Sequence, residues 1–397
     1  MAAGLDAVRD AGPGDAIAGV PARHVARPSS TQEAAAILRA AAAQDLTVVA
    51  RGAGTRQDWG YPPRTVDLIL DTGRLSGIVE HAAGDLIVVV RAGTPMAELR
   101  DKLAPAGQQL ALDTPIAGST VGGTVALGVS GPRRLLYGTA RDLLIGVTVV
   151  RADGVVAKAG GKVVKNVAGY DLGKLVTGSY GTLAVITECA FRLHPVPAAS
   201  AVVSRTVDDP QEAGRAVAAV RAGQVVPTAI EVDAPAGGGI EVAVLLEGVP
   251  DGVRGRVGTT RDLLGGTETS LPAWWSRYPW GPGDVGVKLT AALSQVPALL
   301  AAARAAGVAV RGSAGAGVLY AGLPGGAAPE LVAHVVDALR TAAHAAGGHA
   351  VVLSAPAAVR QRVDLWGPVP GLELMRRVKA QFDPDGRLAP GRFAGGI

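Results

Sequence analysis

Two glycine-rich segments, roughly 65 residues apart, constrain this chain more than any other feature. The first, Arg51-Gly52-Ala53-Gly54-Thr55, directly follows the apolar run Leu46–Ala50, and the second extends from Pro115 to Ala126. Each is typical of a loop with few β-carbons, where backbone N–H groups come close to a ligand. A row of amides suits a diphosphate, because each N–H donates to an anionic oxygen. Together with a third glycine segment at Gly178–Gly181, the pattern predicts one long anionic ligand held along its length.

The composition favours a two-domain globular protein and argues against nucleic acid as a partner. The 397 residues are enough for a large core, and 48% of them are hydrophobic while 18% are charged. A formal net charge of +4 is too small to indicate nucleic-acid binding, whereas it suits an anionic cofactor or a small acidic substrate. Because the chain contains 55 glycines, a single Gly-x-Gly carries little weight, and the argument depends on the repeated segments.

The cysteine content and the absence of long apolar runs predict a cytoplasmic location. Cys189 is the only cysteine, so a disulfide within the chain is excluded and a reducing compartment is expected. No apolar run approaches the roughly 20 residues that span a bilayer, and no signal-peptide pattern is present. We therefore expect a cytoplasmic protein, or one held at the inner face of the cell membrane through partners. The histidines show no metal-ligand spacing, so no metal site is expected.

The predicted elements form an α+β protein with two domains and a distinct tail. A capping box at Ser30–Glu33 predicts a helix through Ala43, and Asp153-Gly154 predicts a hairpin turn. Prolines within 194–197 indicate a domain boundary. After it, apolar segments alternate with helical patterns, which predicts an antiparallel sheet with helices on one face. The predicted divisions are residues 24–198, 199–355 and 356–397.

Two common nucleotide-binding classes do not fit the sequence. A P-loop requires Gly-x-x-x-x-Gly-Lys followed by Ser or Thr, and this motif is absent. A nicotinamide-binding Rossmann domain requires Gly-x-Gly-x-x-Gly between an early strand and a helix, with an acidic residue about 20 positions later, and this arrangement is absent too. The glycine segments therefore need another explanation.

The glycine segments and the tail resemble the FAD signatures of the vanillyl-alcohol-oxidase/p-cresol-methylhydroxylase flavoproteins. The resemblance covers about residues 24–198 and the tail, and its order and spacing are specific. It implies that 24–198 is a two-lobed FAD-binding domain, that 199–355 is a cap domain for substrate or interface, and that 356–397 returns to the FAD domain. The matching segments are Arg51–Thr55, Gly118–Ala126, Gly178–Glu188 and, for the closing turn, Phe382–Arg392.

The resemblance also implies how FAD is held. In such proteins the first loop holds the diphosphate, the second runs beside the ribityl chain and flavin ring, and the third contacts the adenosine half and the pyrimidine side of the ring. Members with covalent FAD often have histidine where this chain has Thr55, so non-covalent FAD is implied. The implied cofactor-binding residues are Arg51, Gly52, Ala53, Gly54, Thr55, Arg56, Thr114, Pro115, Gly118, Ser119, Thr120, Val121, Gly122, Gly123, Ala126, Gly181, Val185, Ile186 and Arg392.

A narrower resemblance links the chain to the FAD-binding E subunits of bacterial glycolate oxidases (glycolate dehydrogenases). It is carried by Gly131-Pro132-Arg133-Arg134, Gly138–Asp142 and Gly161–Leu172. Such enzymes contain a second flavin subunit and an iron–sulfur subunit, which are the partners implied here. The resemblance implies an FAD-dependent oxidoreductase that passes electrons from a small 2-hydroxy acid through flavin to a partner subunit.

Two departures from the family pattern leave other functions open. Related D-2-hydroxyacid dehydrogenases carry a Glu-His-Gly segment before the closing helix, whereas this chain has Arg362–Pro368 there and no histidine after His349. Ala389 stands where the family's closing turn usually has asparagine. The missing histidine motivates the hypothesis that the flavin relays electrons while the partner oxidises the substrate. The alternatives are a stand-alone oxidase or dehydrogenase of a hydroxyacid or sugar-like alcohol, and a non-catalytic flavin scaffold.

A hydroxyacid substrate needs a cation for its carboxylate and a base for its hydroxyl proton. Arg133 and Arg134 follow the second loop and are the first candidates for the carboxylate, the alternative being a solvated or phosphate-side pair. Lys165 and Tyr170, in a polar stretch before the third signature, are candidates to face the flavin ring. The aromatic residues between Trp274 and Trp280 fit a substrate mouth, a subunit interface or ordinary cap packing.

Overall fold

The computed structural model describes residues 8–161 and 171–397. The described residues form two compact units. Unit 1 comprises those within 1–130, 139–196 and 369–397, and unit 2 comprises 131–138 and 197–368. Unit 1 is therefore discontinuous in sequence: residues 131–138 and 197–368 of unit 2 separate its three segments.

Short elements dominate the chain up to residue 195. All of them belong to unit 1 except α4, which belongs to unit 2. In chain order they are β1 (Val8–Asp10), β2 (Ala16–Ile17), β3 (Val20–Pro21), β4 (His24–Ala26), α1 (Thr31–Ala43), β5 (Val48–Arg51), β6 (Leu68–Asp71), β7 (Ile78–Ala82), β8 (Ile87–Arg91), α2 (Met96–Leu103), β9 (Gln108–Gln109), α3 (Val121–Leu127), α4 (Arg134–Tyr137), α5 (Ala140–Leu143), β10 (Leu144–Val150), β11 (Val156–Gly160), α6 (Leu172–Val176), β12 (Val185–Arg192) and β13 (His194–Pro195).

Unit 1 is built on two main sheets. The four-stranded sheet has the order β1-β4-β6-β5, and β5 and β6 are parallel with Arg51 opposite Asp71. Both strands thus end at the same edge, where the first glycine loop begins. The five-stranded sheet has the order β11-β10-β12-β8-β7 and is antiparallel, with a core that includes the fully buried Val88, Leu143 and Cys189. The predicted hairpin at Asp153-Gly154 joins β10 and β11.

The predicted capping box before α1 is present in a modified form. Ser30 Oγ accepts from the Glu33 amide at 3.1 Å, as expected for an N-cap. The Glu33 carboxylate, however, accepts from the amide and hydroxyl of Ser29, one residue earlier than a capping box requires. These bonds hold the pKa of Glu33 below its ordinary value.

Longer strands and helices make up the rest of the chain. All of these elements belong to unit 2 except α12, which belongs to unit 1. They are β14 (Ala199–Val207), α7 (Pro210–Ala222), β15 (Ala229–Ala234), β16 (Ile240–Gly248), α8 (Pro250–Leu264), β17 (Thr267–Thr269), β18 (Val285–Thr290), α9 (Val296–Ala305), β19 (Ala309–Ser313), β20 (Val318–Leu323), α10 (Pro329–Ala345), β21 (Ala350–Ser354), α11 (Ala357–Arg362) and α12 (Leu372–Phe382).

Unit 2 is an eight-stranded antiparallel sheet with helices packed on one face. The strand order is β17-β14-β16-β15-β19-β20-β18-β21, and α7, α8, α9 and α10 pack against it. The predicted antiparallel sheet with helices on one face is confirmed. On the other face, Ala243 and Leu245 pack against Trp274 and Trp275, so part of the predicted aromatic cluster is bound to the sheet by apolar contact.

Candidate functional site

The loop that follows β5 presents a row of backbone donors. Among residues 8–161 and 171–397, the amides of Gly52, Ala53, Gly54 and Thr55 donate to no protein oxygen. Gly54 has φ +72°, a left-handed conformation that glycine adopts without strain. Consecutive amides left without acceptors in a turn suit an anionic ligand. The loop therefore has donors of the kind that a diphosphate requires.

The second glycine loop uses the amides around its helix start internally. Gly122 donates to the Ala92 carbonyl at 2.7 Å, Gly123 to Thr120 Oγ1 at 3.3 Å, and Thr124 to the Thr120 carbonyl at 2.9 Å. A β-carbon on Gly122 would lie only 2.7 Å from that of Ala92. The expectation of ligand-facing amides is therefore wrong for this part of the loop, where glycine serves close packing.

The two glycine loops meet at Gly52 and Thr120. A β-carbon built on Gly52 would lie 2.3 Å from Thr120 Oγ1, which is far inside van der Waals contact. Thr120 is the N-cap of α3, so its hydroxyl is fixed by the helix start. The absence of a side chain at position 52 is what allows the first loop to lie against the second.

A cleft in unit 1 lies where the loops meet. It is open to solvent, and its empty space, counted together with the adjoining solvent, is about 850 Å³. All of its walls come from unit 1, and backbone and small side chains of both loops contribute most of them. The predicted cofactor-binding residues that line it are Gly52, Ala53, Gly54, Thr55, Arg56, Ser119, Thr120, Gly122, Gly123, Ala126, Gly181, Ile186 and Arg392.

Other predicted cofactor-binding residues do not line this cleft. Arg51 is the clearest case, because its Nη2 lies 3.1 Å from both Asp15 Oδ1 and Asp71 Oδ2. Its guanidinium ties β5 to the neighbouring strand β6 and to the segment before β2, so the structure gives it a positioning role. The remaining residues outside the lining are Thr114, Pro115, Gly118, Val121 and Val185.

The cleft also contains residues that sequence reasoning did not select. Thr72 directly follows β6, and the parallel pairing of β5 and β6 places the two strand ends at one edge, which is a signal that the sequence contains. Tyr180 lies within the third glycine segment but is not among the predicted cofactor-binding residues. It has φ +57°, and burial raises the pKa of its hydroxyl. The others are Ala50, Gln57, Ala92, Ile116, Thr124, Leu127, Val129 and Ala184.

The closing turn docks on the first loop through Arg392. Its Nη2 donates to the carbonyls of Gln57 at 2.8 Å and Trp59 at 2.7 Å, and its Nη1 lies 3.2 Å from Gln57 Oε1. The residue is only 5% exposed. Ala389 in the same turn has φ +45°, a left-handed conformation that asparagine tolerates better than alanine. This left-handed backbone is one physical reason for the asparagine that the resembled family usually has at that position.

A buried ammonium group joins α12 to the third glycine segment. Lys379 Nζ donates to the Thr182 carbonyl at 2.7 Å, to Asp383 Oδ2 at 2.6 Å and to the Leu388 carbonyl at 3.0 Å. Burial lowers the pKa of Lys379, although Asp383 opposes that effect. All three acceptors lie in unit 1, so this contact holds the tail within the unit that contains the cleft.

Two of the four predicted catalytic residues lie in the described part of the chain. Arg133 and Arg134 belong to unit 2, where Arg133 makes a two-point ion pair with Glu247, its Nη2 lying 2.6 Å from Oε1. Arg134 Nη2 lies 3.2 Å from the hydroxyl oxygen of Tyr320. Lys165 and Tyr170 lie outside the described residues.

Two family models match the chain, and they correspond to the cleft and the tail. The model of the FAD binding domain matches residues 22–160, and the model of the C-terminal domain of FAD linked oxidases matches residues 365–393. The first of these matches identifies an FAD-binding domain in the chain. Its cofactor is FAD. The amides of the first loop, which donate to no oxygen of the described residues, fit the diphosphate of that cofactor.

The chain is also similar to hydroxyacid enzymes. It is 33% identical over 229 residues to glycolate oxidase subunit GlcE of Escherichia coli (strain K12), a match that covers 57% of this chain and 62% of the relative. It is 36% identical over 171 residues to D-lactate dehydrogenase of Archaeoglobus fulgidus, covering 43% of this chain and 38% of the relative. The chain thus spans less than two thirds of the length of these two relatives.

A solved structure has a similar fold. Alkyldihydroxyacetonephosphate synthase superposes with a TM-score of 0.69 over 93% of this chain and 77% of that chain, at 18% sequence identity. In the part of the chain that the structure describes, no helix combines the length and the apolar character needed to cross a membrane.

Proposed function

We propose that this chain is the FAD-binding subunit of a glycolate-type 2-hydroxyacid dehydrogenase complex. It passes electrons from a small 2-hydroxy acid through its flavin to a partner subunit. The observation that carries the proposal is the similarity to GlcE, at 33% identity over 229 residues. The similarity to a D-lactate dehydrogenase supports the same substrate class.

The first glycine loop is proposed to hold the FAD diphosphate. The amides of Gly52 to Thr55 donate to no oxygen of the described residues. They are therefore available as donors, with no side chain between them and the ligand. FAD, when bound, accepts a hydride from the alcohol carbon, while the protein supplies placement and electrostatics. Thr55 stands where members of the resembled family with covalently attached FAD often have histidine. The cofactor of this chain is therefore held without a covalent bond.

Electron transfer to a partner is the second half of the proposal. The name of the relative, glycolate oxidase subunit GlcE, indicates an enzyme of more than one subunit. A second flavin subunit and an iron–sulfur subunit are the partners proposed here. The proposal therefore assigns onward electron transfer to these partners.

Anaerobic mixing of the FAD-loaded chain with glycolate or D-lactate, alone and with its partners, tests this function. We expect the flavin absorbance to bleach with either acid and sustained dye reduction to require the partners. Ethylene glycol, which replaces the carboxylate of glycolate by a hydroxymethyl group, is the matched control and should not bleach the flavin. Sustained turnover by the chain alone would instead establish a stand-alone dehydrogenase. Bleaching only after the partner is added would establish a relay subunit.

A further inference from the structure

Three polar side chains of unit 2 meet on one face of its sheet. Lys288 of β18 and Tyr320 of β20 are directly opposite each other in antiparallel strands, which brings their β-carbons to about 5 Å. Arg134 of α4 reaches the same place, since its Nη2 lies 3.2 Å from the Tyr320 hydroxyl. The segment Gly131–Gly138, which belongs to unit 2, supplies this arginine.

Two donors in this group have no acceptor. Arg134 can only donate, so the Tyr320 oxygen accepts from it and the phenolic proton points elsewhere. Within residues 8–161 and 171–397, no side chain or carbonyl accepts that proton, and the Lys288 ammonium has neither a hydrogen bond nor an ion pair. Both side chains are partly buried. An anionic oxygen placed between them would accept from both donors.

The charges around Tyr320 favour an added anion. Burial would raise the pKa of Tyr320, but Arg134 and Lys288 outweigh burial and lower it. Burial likewise opposes the charge of Arg134, yet Tyr320 and Glu231 raise its pKa, so the guanidinium stays charged. Glu231 is 5% exposed and accepts a hydrogen bond from the Ser313 hydroxyl. Arg134 and Lys288 thus both favour negative charge on Tyr320, and Glu231 opposes it.

Two neighbouring arginines, Arg133 before α4 and Arg311 on β19, pair with carboxylates. Arg133 is paired in two-point fashion with Glu247, and Arg311, which is opposite Tyr320 on β19, lies 2.7 Å from Asp233 through its Nε. Each of these pairs balances its own charge. Lys288 forms no such pair among the described residues.

Aromatic side chains wall the group on one side. Tyr278 contacts Tyr320 edge-on, with ring centroids 4.9 Å apart, and stacks on Trp280 at 4.4 Å. Trp280 fits because Gly286 of β18 has no side chain; a β-carbon there would lie 2.2 Å from the indole ring. Apolar walls reduce the screening of nearby charges, so an anion here would be held more strongly than at an open surface.

We propose that Arg134, Lys288 and Tyr320 form the binding site for the carboxylate of a small 2-hydroxy acid. The identity of the acid rests on the proposed function, whereas the site itself rests on the donors and charges described above. A carboxylate accepts from a guanidinium, an ammonium and a phenol at once, since its two oxygens offer about four acceptor positions. Arg133, the other sequence candidate, instead fixes the segment to the sheet through Glu247.

Calorimetric titration of the FAD-loaded full-length chain with oxalate tests the site. Oxalate resembles glycolate but has no alcohol carbon to oxidise, so binding is measured without turnover. We expect Arg134→Met to weaken oxalate about tenfold to a hundredfold, and Tyr320→Phe about fivefold to tenfold. Arg254→Met is the matched control, because Arg254 is an exposed arginine of unit 2 and should leave the affinity unchanged.

A second measurement guards against variants that fail to fold. The difference in ultraviolet absorbance between the unmodified protein and Tyr320→Phe, followed with pH, gives the ionisation midpoint of Tyr320. We expect a midpoint below about 10, the ordinary tyrosine value. Saturating oxalate should raise this ionisation midpoint, because a bound anion disfavours the negatively charged phenolate of Tyr320. Arg134→Lys, which keeps the charge but loses the planar fork, should recover part of the affinity lost in Arg134→Met.

The outcomes separate this site from the proposed function. Equal oxalate affinity in the unmodified protein, Arg134→Met and Tyr320→Phe would overturn the site, even if the assembled complex still passes electrons. Absence of oxalate binding up to about 10 mM, roughly −2.7 kcal/mol, would overturn it as well. Inorganic phosphate binding as tightly as oxalate would overturn its assignment to a carboxylate. Arg134-dependent oxalate binding by a chain that transfers no electrons to partners would support the site and refute the proposed function.

Discussion

At the scale of single residues, the glycines of the two loops perform different tasks. Gly54 is needed for its left-handed backbone, since its φ of +72° disfavours any residue with a β-carbon. Gly52 has no such conformation and is needed for space, because Thr120 Oγ1 occupies the position where a side chain would start. Gly122 is needed for space against Ala92. Glycine-rich loops of this kind thus combine ligand access with loop-to-loop packing.

Gly52→Ala should release FAD. The added methyl group collides with the N-cap hydroxyl of Thr120, and relief of the overlap separates the loops at a cost of about 1–3 kcal/mol. We expect the FAD dissociation constant to rise about tenfold or more, measured by flavin fluorescence on dilution. Gly84→Ala is the control, since a β-carbon at Gly84 meets nothing within 4 Å. Unchanged FAD affinity in Gly52→Ala would show that the loops do not need this contact.

Residue types indicated the cofactor loops better than they indicated individual contacts. The row of amides after β5 follows from the glycine pattern, because few other residues leave backbone donors so accessible. The ion pairs of Arg51 cannot be predicted from the glycine pattern. Its partners Asp15 and Asp71 are separated from it in sequence and meet it only in the folded sheet. The same holds for Arg133 and Arg134, whose difference in role depends on Glu247 and Tyr320 in distant strands.

At the scale of elements, the parallel pair β5 and β6 organises the edge at which the first loop starts. Arg51 and Asp71 are opposite each other at the ends of these strands, and Asp15 joins them from the segment before β2. Asp15 also accepts from Arg9 at 2.8 Å and from the Gly12 amide at 3.0 Å. A short amino-terminal segment is thus tied to the strand that leads into the cleft.

The stability of unit 1 should depend on the ionisation of Asp15. Hydrogen bonds from Arg9, Gly12 and Arg51 hold the pKa of Asp15 well below its ordinary value. The unfolded chain therefore takes up this proton at a higher pH than the folded chain does. The contribution to stability is complete above about pH 4 and is lost as the pH falls further. Asp15→Asn should lower the urea midpoint at pH 7 and flatten its decline between about pH 4 and pH 2.

Asp10→Asn provides the comparison for Asp15. The Asp10 side chain is 93% exposed, so its replacement should leave the acid decline in place. Parallel pH profiles for Asp15→Asn and the unmodified protein would refute the role of Asp15.

Elements with a local cause were predictable, and those with a distant cause were not. The hairpin of β10 and β11 follows from its Asp-Gly turn, and the antiparallel sheet of unit 2 follows from alternating segments. The membership of α4 in unit 2 does not follow, because a four-residue helix takes its place from contacts with β15 and the segment after β19. No local pattern distinguishes it from α5, which follows directly and belongs to unit 1.

At the scale of the whole molecule, unit 1 is completed by the end of the chain. Residues 369–397 supply α12 and the closing turn, and Arg392 contributes to the wall of the cleft. Backbone bonds between Val48 and the turn, at 2.9 Å from Val48 N to Arg387 O and 2.8 Å from Ala389 N to Val48 O, extend the sheet at β5. The cofactor site thus depends on segments from both ends of the sequence.

A chain that ends after Pro368 should lose FAD while unit 2 stays folded. The truncation removes no residue of unit 2, but it deprives the first loop of Arg392 and unit 1 of Lys379. We expect flavin absorbance to disappear from the purified protein, and limited proteolysis to degrade unit 1 faster than unit 2. Full-length Arg392→Met separates the guanidinium from the rest of the tail and should weaken FAD less. Retention of stoichiometric FAD by the truncated chain would contradict this account.

The bond from Lys379 to Thr182 has a consequence for how the protein is made. The two residues are 197 positions apart, and most of the sequence between them belongs to unit 2. During synthesis, Thr182 leaves the ribosome long before its partner is translated, at about 5–20 residues per second. Unit 2 can therefore form while unit 1 still lacks its tail. We therefore expect FAD to bind only after the residues up to Arg392, which lines the cleft, have been synthesised.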